Sequence, residues 1–287
     1  MRVAFAGLGS MGAPQARLIA RSGHTLAVFD ALPAARDAFR DIAQVASSAA
    51  DAARGVEVAC VCVRDDQQVR EVVLGKDGFS EALAPGALVL IHSTIGIETL
   101  RQLQEALKPR GIALVDAPVS RTRRTDDEAF VFTMMGGAPA DVDRARAIVS
   151  AFSTGLEHMG PLGAGMAAKI ANNLVTWTHL VVGAQAAALA ARHGVPYGKL
   201  REVLAANGNL TPTVAALFDG KNEFPPGTHA ARDQFLASQA GIGEKDLQLA
   251  IDCGREAGLQ VGMMSETRSL VRAMMTGPLA QPRAQPE

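Results

Sequence analysis

The chain has 287 residues, with 28 Lys plus Arg against 29 Asp plus Glu and a formal net charge of −1. That length predicts two domains, and the near-neutral balance excludes global electrostatic attraction to nucleic acid or to an anionic membrane, so any anionic partner must be held by a local site. The three cysteines lack metal-ligand spacing and read as buried reduced thiols; with no secretory pattern in the first residues, they predict a cytoplasmic protein without a bound metal.

The chain opens on an apolar run, Val3 to Ala6, that reads as a buried strand. Gly7-Leu8-Gly9-Ser10-Met11-Gly12 follows with G-x-G-x-x-G spacing: Gly7 permits a tight turn, Gly9 lets a pyrophosphate approach the backbone, and Gly12 allows helix to pack on strand. A helix from Ser10 to Arg21 would point its free N–H groups and positive dipole end at the phosphates, and Gly23 ends it. A second strand, Thr25 to Phe29, leads to Asp30, placed where a carboxylate meets the ribose hydroxyls of a dinucleotide. Its charge would repel a 2′-phosphate, which predicts NAD over NADP; Arg36 is the nearest cation that would offset it, and a turn or N-cap role is the alternative for Asp30.

Val56 to Val63, Ala87 to Ile91, Ile112 to Val115 and Phe130 to Met135 read as further strands, with helices near Asp66 to Val73, Ile97 to Lys108 and Ala140 to Phe152 and a last strand near Leu156 to Met159. Val63, Arg64, Asp65, Ser93 and Thr94 follow strands at the ligand-binding edge of such a sheet, as candidates for the riboses or as caps of the next helix. Beyond Gly160, Pro161, Gly163 and Gly165 strand signals vanish. Helices are expected at Ala164 to His193, Tyr197 to Ala206, Thr213 to Phe218, Arg232 to Ala257 and Ser265 to Met275. The fold class is therefore α/β: a Rossmann-type, mostly parallel sheet domain over residues 1–162, joined by a long helix to an all-helical domain over residues 163–276 for catalysis and oligomerisation, with a mobile tail over 277–287. The first long helix reads as buried rather than membrane-spanning.

That helix carries Lys169, Asn172, Asn173 and Thr176 at i, i+3, i+4 and i+7 in an otherwise apolar segment. An amine, two amides and a hydroxyl on one stripe are costly to bury without partners, which points to an active-site wall; a solvated seam with a snorkelling lysine is the alternative.

Four ordered blocks resemble the β-hydroxyacid dehydrogenase family, which includes 3-hydroxyisobutyrate dehydrogenase: Gly7 to Gly12; Asp116-Ala-Pro-Val-Ser120 with Met134-Met-Gly-Gly137; Gly165-Met-Ala-Ala-Lys169-Ile-Ala-Asn172-Asn173; and Lys245-Asp246-Leu247. The resemblance implies hydride transfer between NAD(H) and a small 3-hydroxy acid or its semialdehyde, with Lys169 as general acid/base, Asn173 orienting the reacting oxygen and Lys245 facing the nicotinamide. Proton transfer must accompany hydride transfer, and an amine suits it. A free lysine titrates near about 10.4, so the role calls for burial or a nearby cation.

The substrate contacts expected are Ser120, Arg121, Thr122, Asn172 and Asn173. Where the family commonly has two glycines after the serine, this chain has Arg121 and Thr122, resembling the sulfolactaldehyde and γ-hydroxybutyrate-type reductases, in which the arginine helps bind a terminal anion. A reductase of such an aldehyde is the second expectation, and a non-catalytic dinucleotide sensor or scaffold the third. Arg123, Arg124 and Asp126-Asp127-Glu128 read as a solvated loop, and the histidines as structural or surface residues. The stretch Phe224 to Gly243 exceeds the family's usual length. Phosphate site, amine and anion holder come from both halves, which predicts a site at the cleft, and the apolar helical half predicts a homodimer or homotetramer.

Overall fold

The computed structural model describes residues 1–123 and 125–279; Arg124 and the last eight residues of the expected tail lie outside the described residues. The chain divides into one unit over Met1–Lys169 and a second beginning at Ile170.

In the first unit, continuous apolar runs form strands β1 (Arg2–Ala6), β2 (Thr25–Phe29), β4 (Val58–Val61), β5 (Leu88–Ile91) and β6 (Ala113–Asp116). With β3 (Gln44–Val45) they pair in parallel in the order β3-β2-β1-β4-β5-β6, and the runs Val58–Val61 and Leu88–Ile91 are buried throughout, as strands covered on both faces must be. The crossovers are helices α1 (Gly12–Arg21), α2 (Pro33–Asp37), α3 (Ala49–Ala52), α4 (Asp66–Leu74), α5 (Phe79–Ala82) and α6 (Ile97–Leu107). The expected Rossmann-type sheet is present, and its order reverses between β1 and β4, the switch point at which such sheets bind ligands. Strands β7 (Val119–Arg121) and β8 (Val131–Gly136) are antiparallel, helix α7 (Pro139–Val149) follows, and β9 (Ser153–Gly160) pairs parallel to β8.

The structure differs from the sequence reading in several places. Ser120 lies beyond the parallel strands, in a short strand the sequence reading lacks: β6 stops at Asp116, and Ser120 is the middle residue of β7, opposite Phe132. Pro118 removes one backbone donor between them and breaks the run in two. Of the cysteines only Cys60 is buried; Cys62, just past β4, and Cys253 are half-buried, all three as free thiols. The short elements α2, β3, α3 and α5 span too few residues for a periodicity to show.

Helix α8 (Ala164–Arg192) starts in the first unit and continues into the second, which adds α9 (Tyr197–Ala206), α10 (Pro212–Glu223), α11 (Ala230–Glu256) and α12 (Gly262–Thr276). The second unit's core packs Trp177, Leu180 and Val181 of α8 against Phe218, Leu247 and Val271. The expectation of a buried α8 is corrected. Val175, Val182 and Leu189 are 54%, 59% and 63% exposed, on one side of the helix at seven-residue spacing. Length and composition alone would let α8 cross a membrane, and its polar stripe sets it apart from a lipid-facing segment.

Most of the stretch 224–243 is helical. A short turn holding Pro225-Pro226 leads into α11, which His229 caps by accepting from the Arg232 N–H at 3.3 Å. The described start of the expected tail is tied down: Lys221 Nζ, on α10, donates to the Gly277 carbonyl at 2.6 Å and to that of Met274.

Candidate active site

The turn after β1 is built for a close approach of backbones. Gly7 has φ of +94°, and a Cβ on it would lie 2.2 Å from the Cys62 carbonyl oxygen at the end of β4. A Cβ on Gly12 would lie 2.0 Å from the Gly7 carbonyl oxygen, whereas one on Gly9 would meet nothing within 4 Å. Two glycines therefore close the loop on itself, and the third leaves its backbone open to a visitor. Met11, which caps α1, makes no side-chain bond to the first-turn N–H groups, and no acidic residue occupies that turn. In that turn Ala13 N–H donates to the Gly9 carbonyl at 2.9 Å and Pro14 has no N–H, so it is the positive end of the helix, beside an uncrowded glycine, that fits the pyrophosphate of a dinucleotide.

Asp30 closes this loop from the end of β2. One carboxylate oxygen accepts from the Leu8 N–H at 2.7 Å and the other from Leu32 N–H at 2.8 Å, the latter a turn contact. Of the other residues expected at this edge, Val63 N–H donates to Ser93 Oγ at 2.8 Å, while Arg64 is exposed beside Asp65, 3.3 Å away. Asp65 caps α4 through Gln68 N–H, and Thr94 is half-buried.

The polar stripe begins in the same unit. Lys169 is 9% exposed and its Nζ donates to Ser120 Oγ at 3.2 Å, joining α8 to β7. Two residues fix this segment. Asp116 ends β6, fully buried, and accepts from Gly163 N–H at 2.8 Å and Met166 N–H at 2.6 Å at the start of α8. Burial pushes its carboxyl up to about 6 against these hydrogen bonds. His92, at the end of β5, donates Nδ1–H to the Ala117 carbonyl at 2.9 Å, and burial pulls it down to about 4, so it is neutral and structural. Arg121 reaches the glycine loop: its guanidinium lies 3.8 Å from Met11 Sδ and 4.8 Å above the Phe130 ring. Thr122 donates its hydroxyl to the Phe130 carbonyl at 3.1 Å and lies 2.8 Å from Thr154 Oγ1, a bracing arrangement.

In the second unit, Asn173 is 9% exposed and donates through Nδ2 to Asp246 Oδ2 at 2.7 Å. Asn172 donates to Asn173 Oδ1 at 3.3 Å, and Lys245 Nζ sits 2.9 Å from Asp246 Oδ1. With one hydrogen of its amide engaged by a carboxylate, Asn173 has its second N–H direction fixed. Thr176 turns back to the Asn172 carbonyl at 3.0 Å.

Residues 2–160 match the family described as the NAD binding domain of 6-phosphogluconate dehydrogenase, and residues 163–281 the family described as NAD-binding of NADP-dependent 3-hydroxyisobutyrate dehydrogenase. The chain belongs to the β-hydroxyacid dehydrogenase family. Among relatives of this β-hydroxyacid dehydrogenase, the NAD-dependent L-serine dehydrogenase of Pseudomonas aeruginosa is 33% identical over 96% of the chain and 92% of its own length. The 3-sulfolactaldehyde reductase of Escherichia coli is 28% identical, covering 93% and 88%. A solved structure of Mycobacterium tuberculosis 3-hydroxyisobutyrate dehydrogenase with L-serine aligns with TM-score 0.80 at 25% identity, covering 98% and 96%.

Sequence reasoning missed two side chains of this dehydrogenase. Asp116 and Asp246 stood inside the quoted blocks without roles, yet both are buried carboxylates that bind the segments carrying Lys169 and Asn173. The available signal was the cost of burial. An acid closing an apolar strand run, or embedded among Leu247, Ala250 and Ile251 on a helix, needs committed donors.

Proposed function

We propose that the protein is an NAD-dependent dehydrogenase, or reductase in the reverse direction, of a small 3-hydroxy acid or its semialdehyde, with Lys169 as general acid/base. The observation that carries this reading is the buried Lys169 amine 3.2 Å from Ser120 Oγ. NAD(H), when bound, supplies the hydride acceptor or donor. Gly7, Leu8, Gly9, Ser10, Met11 and Gly12 hold its pyrophosphate and Asp30 its adenosine ribose, which favours NAD over NADP; Val63, Arg64, Thr94 and Lys245 complete the cofactor contacts.

In the oxidising direction Lys169 Nζ takes the proton from the substrate hydroxyl oxygen, and in the reducing direction it returns one. Ser120 Oγ, within hydrogen-bond reach of that amine, aligns the same oxygen. Asn173 spends one N–H on Asp246 and offers the other to the oxygen; Asn172 steadies its carbonyl. Arg121 grips the substrate's acidic end by two parallel hydrogen bonds, with Phe130 beneath its guanidinium and Thr122 bracing its strand. The position of Arg121 beside Met11 favours a second reading, a semialdehyde whose terminal group is itself an anion, carboxylate or sulfonate.

Two experiments decide these points. Lys169→Ala lowers kcat by about 10³-fold while NADH binding by fluorescence titration is retained; a variant with normal kcat removes the proposed acid/base. Spectrophotometry across 3-hydroxyisobutyrate, L-serine, γ-hydroxybutyrate and 2,3-dihydroxypropanesulfonate separates the two substrate readings by kcat/KM.

The working division is a dinucleotide-binding domain over residues 1–162 and a helical catalytic and oligomerisation domain over residues 163–276. The open stripe of Val175, Val182 and Leu189 on α8 fits burial against another copy in a homodimer or homotetramer. A monomeric mass by light scattering at micromolar concentration contradicts it. The free thiols of Cys60, Cys62 and Cys253 suit a reducing cytoplasm.

A further inference from the structure

Three elements of the first unit converge on the carboxylate of Asp116. It ends β6, its Oδ1 accepts from Gly163 N–H at 2.8 Å, and its Oδ2 accepts from Met166 N–H at 2.6 Å in the first turn of α8. The third element, β8, passes so close that a Cβ on Gly136 would lie 2.4 Å from Oδ1, and one on Gly165 would lie 2.9 Å from Oδ2. A side chain at Gly136 would displace the carboxylate first, and one at Gly165 would meet the Met134 carbonyl oxygen at 2.5 Å before the carboxylate, so the packing here is tight on both backbone and acid. The first-turn N–H groups of a helix have no intrahelical acceptor, and they carry the positive end of its dipole. Here a strand residue some fifty positions upstream, rather than the helix's own N-cap, supplies the anion.

The sequence distances give this contact its consequence. Ser120 lies four residues after Asp116, and Lys169 three residues after Met166, just under one helical turn. One carboxylate therefore pins the two segments that bring Lys169 Nζ to 3.2 Å from Ser120 Oγ. A second tie acts on the same turn, since the Ile95 N–H points at Met166 Sδ at 3.4 Å.

We infer that Asp116 is a positioning residue for the proton-transfer step, setting the first turn of α8 against β6 so that the Lys169 amine meets Ser120. This rests on the role proposed for Lys169. Asp116 does not touch the reacting atoms; it acts through the backbone amides of Gly163 and Met166. Replacing it by asparagine removes the charge and one acceptor, and turns an amide donor toward N–H groups that need an acceptor.

The test uses the full-length enzyme and its Asp116→Asn variant, with kcat expressed per NADH-binding site counted by fluorescence titration. The expected result is a fall in kcat per site of about 10²-fold, with NADH affinity within about twofold, as for a misplaced catalytic group beside an intact cofactor loop. A merely structural role lowers the number of binding sites and leaves kcat per site unchanged, and that outcome overturns the inference. If the variant does not fold, amide hydrogen exchange on the wild type decides. Gly163 and Met166 amides bonded to Asp116 are protected by at least about 10²-fold over free exchange, and unprotected amides overturn the proposal. A wild type that turns over no hydroxy acid on the panel refutes the proposed function instead, while the exchange measurement still rules on the contact.

Discussion

Each unit buries one aspartate beside the residues proposed for chemistry, and the two are held by opposite means, Asp246 by one hydrogen bond and an ion pair. Asp116 is held by backbone N–H groups of Gly163 and Met166, whereas Asp246 is held by side chains, the Asn173 amide at 2.7 Å and the Lys245 amine at 2.9 Å. Backbone donors at a helix start turn only if the helix moves; side-chain donors turn by rotation about single bonds. The first arrangement suits an anchor and the second a group that resets as ligands come and go.

The contrast breaks most visibly at the glycine loop, the other backbone-built part of the first unit. Gly12→Ala places a methyl 2.0 Å from the Gly7 carbonyl oxygen, and NADH affinity is expected to fall by at least about 10²-fold in a fluorescence titration. Near-normal affinity would mean that this backbone yields as readily as a side chain. A milder effect is expected in the second unit. Asp246→Asn keeps an acceptor for Asn173, so kcat drops by about tenfold, and a double-mutant cycle with Asn173→Ala gives a coupling of about 1 kcal/mol; independent effects would dissolve the network.

The smallest effect concerns pH. Asp116 in the folded protein is pushed up from 3.8 to about 6, so the folded state holds more protons and stability falls as pH rises through that window. His92 is pulled down from 6.5 to about 4, so the unfolded state holds more protons and stability is lost as pH falls through nearly the same window. The two slopes oppose one another. His92→Phe exposes the Asp116 slope, and calorimetry should then show stability declining by about 1 kcal/mol between pH 4 and pH 5. An unchanged pH profile would remove Asp116 as a carboxyl titrating in that range.

Much of this molecule was legible in its residues. The buried strand runs, the glycine spacing and the stripe of Lys169, Asn172, Asn173 and Thr176 each express one dominant periodicity, and each recurs in the structure at nearly the expected residues. The helix expected over Thr213 to Phe218 runs on to Glu223: Gly220 reads as a stop, whereas Lys221 is stabilised in the helix by carbonyls of α12 and the turn after it. Burial along α8 was misjudged for a related reason. A segment apolar outside one polar stripe shows how much surface needs covering but not which side its own chain covers. The partners of Asp116 lay almost fifty residues downstream, and no local pattern encodes a contact of that span.

Asp30 carries a practical consequence for anyone wishing to exchange cofactors. The same carboxylate proposed to disfavour a phosphorylated ribose also receives the Leu8 N–H, a strut of the glycine turn. Swapping it for a small neutral side chain to welcome NADP would orphan that strut and slacken the turn for either dinucleotide. A retargeted enzyme therefore has to restore an acceptor for Leu8 as well as add a cation.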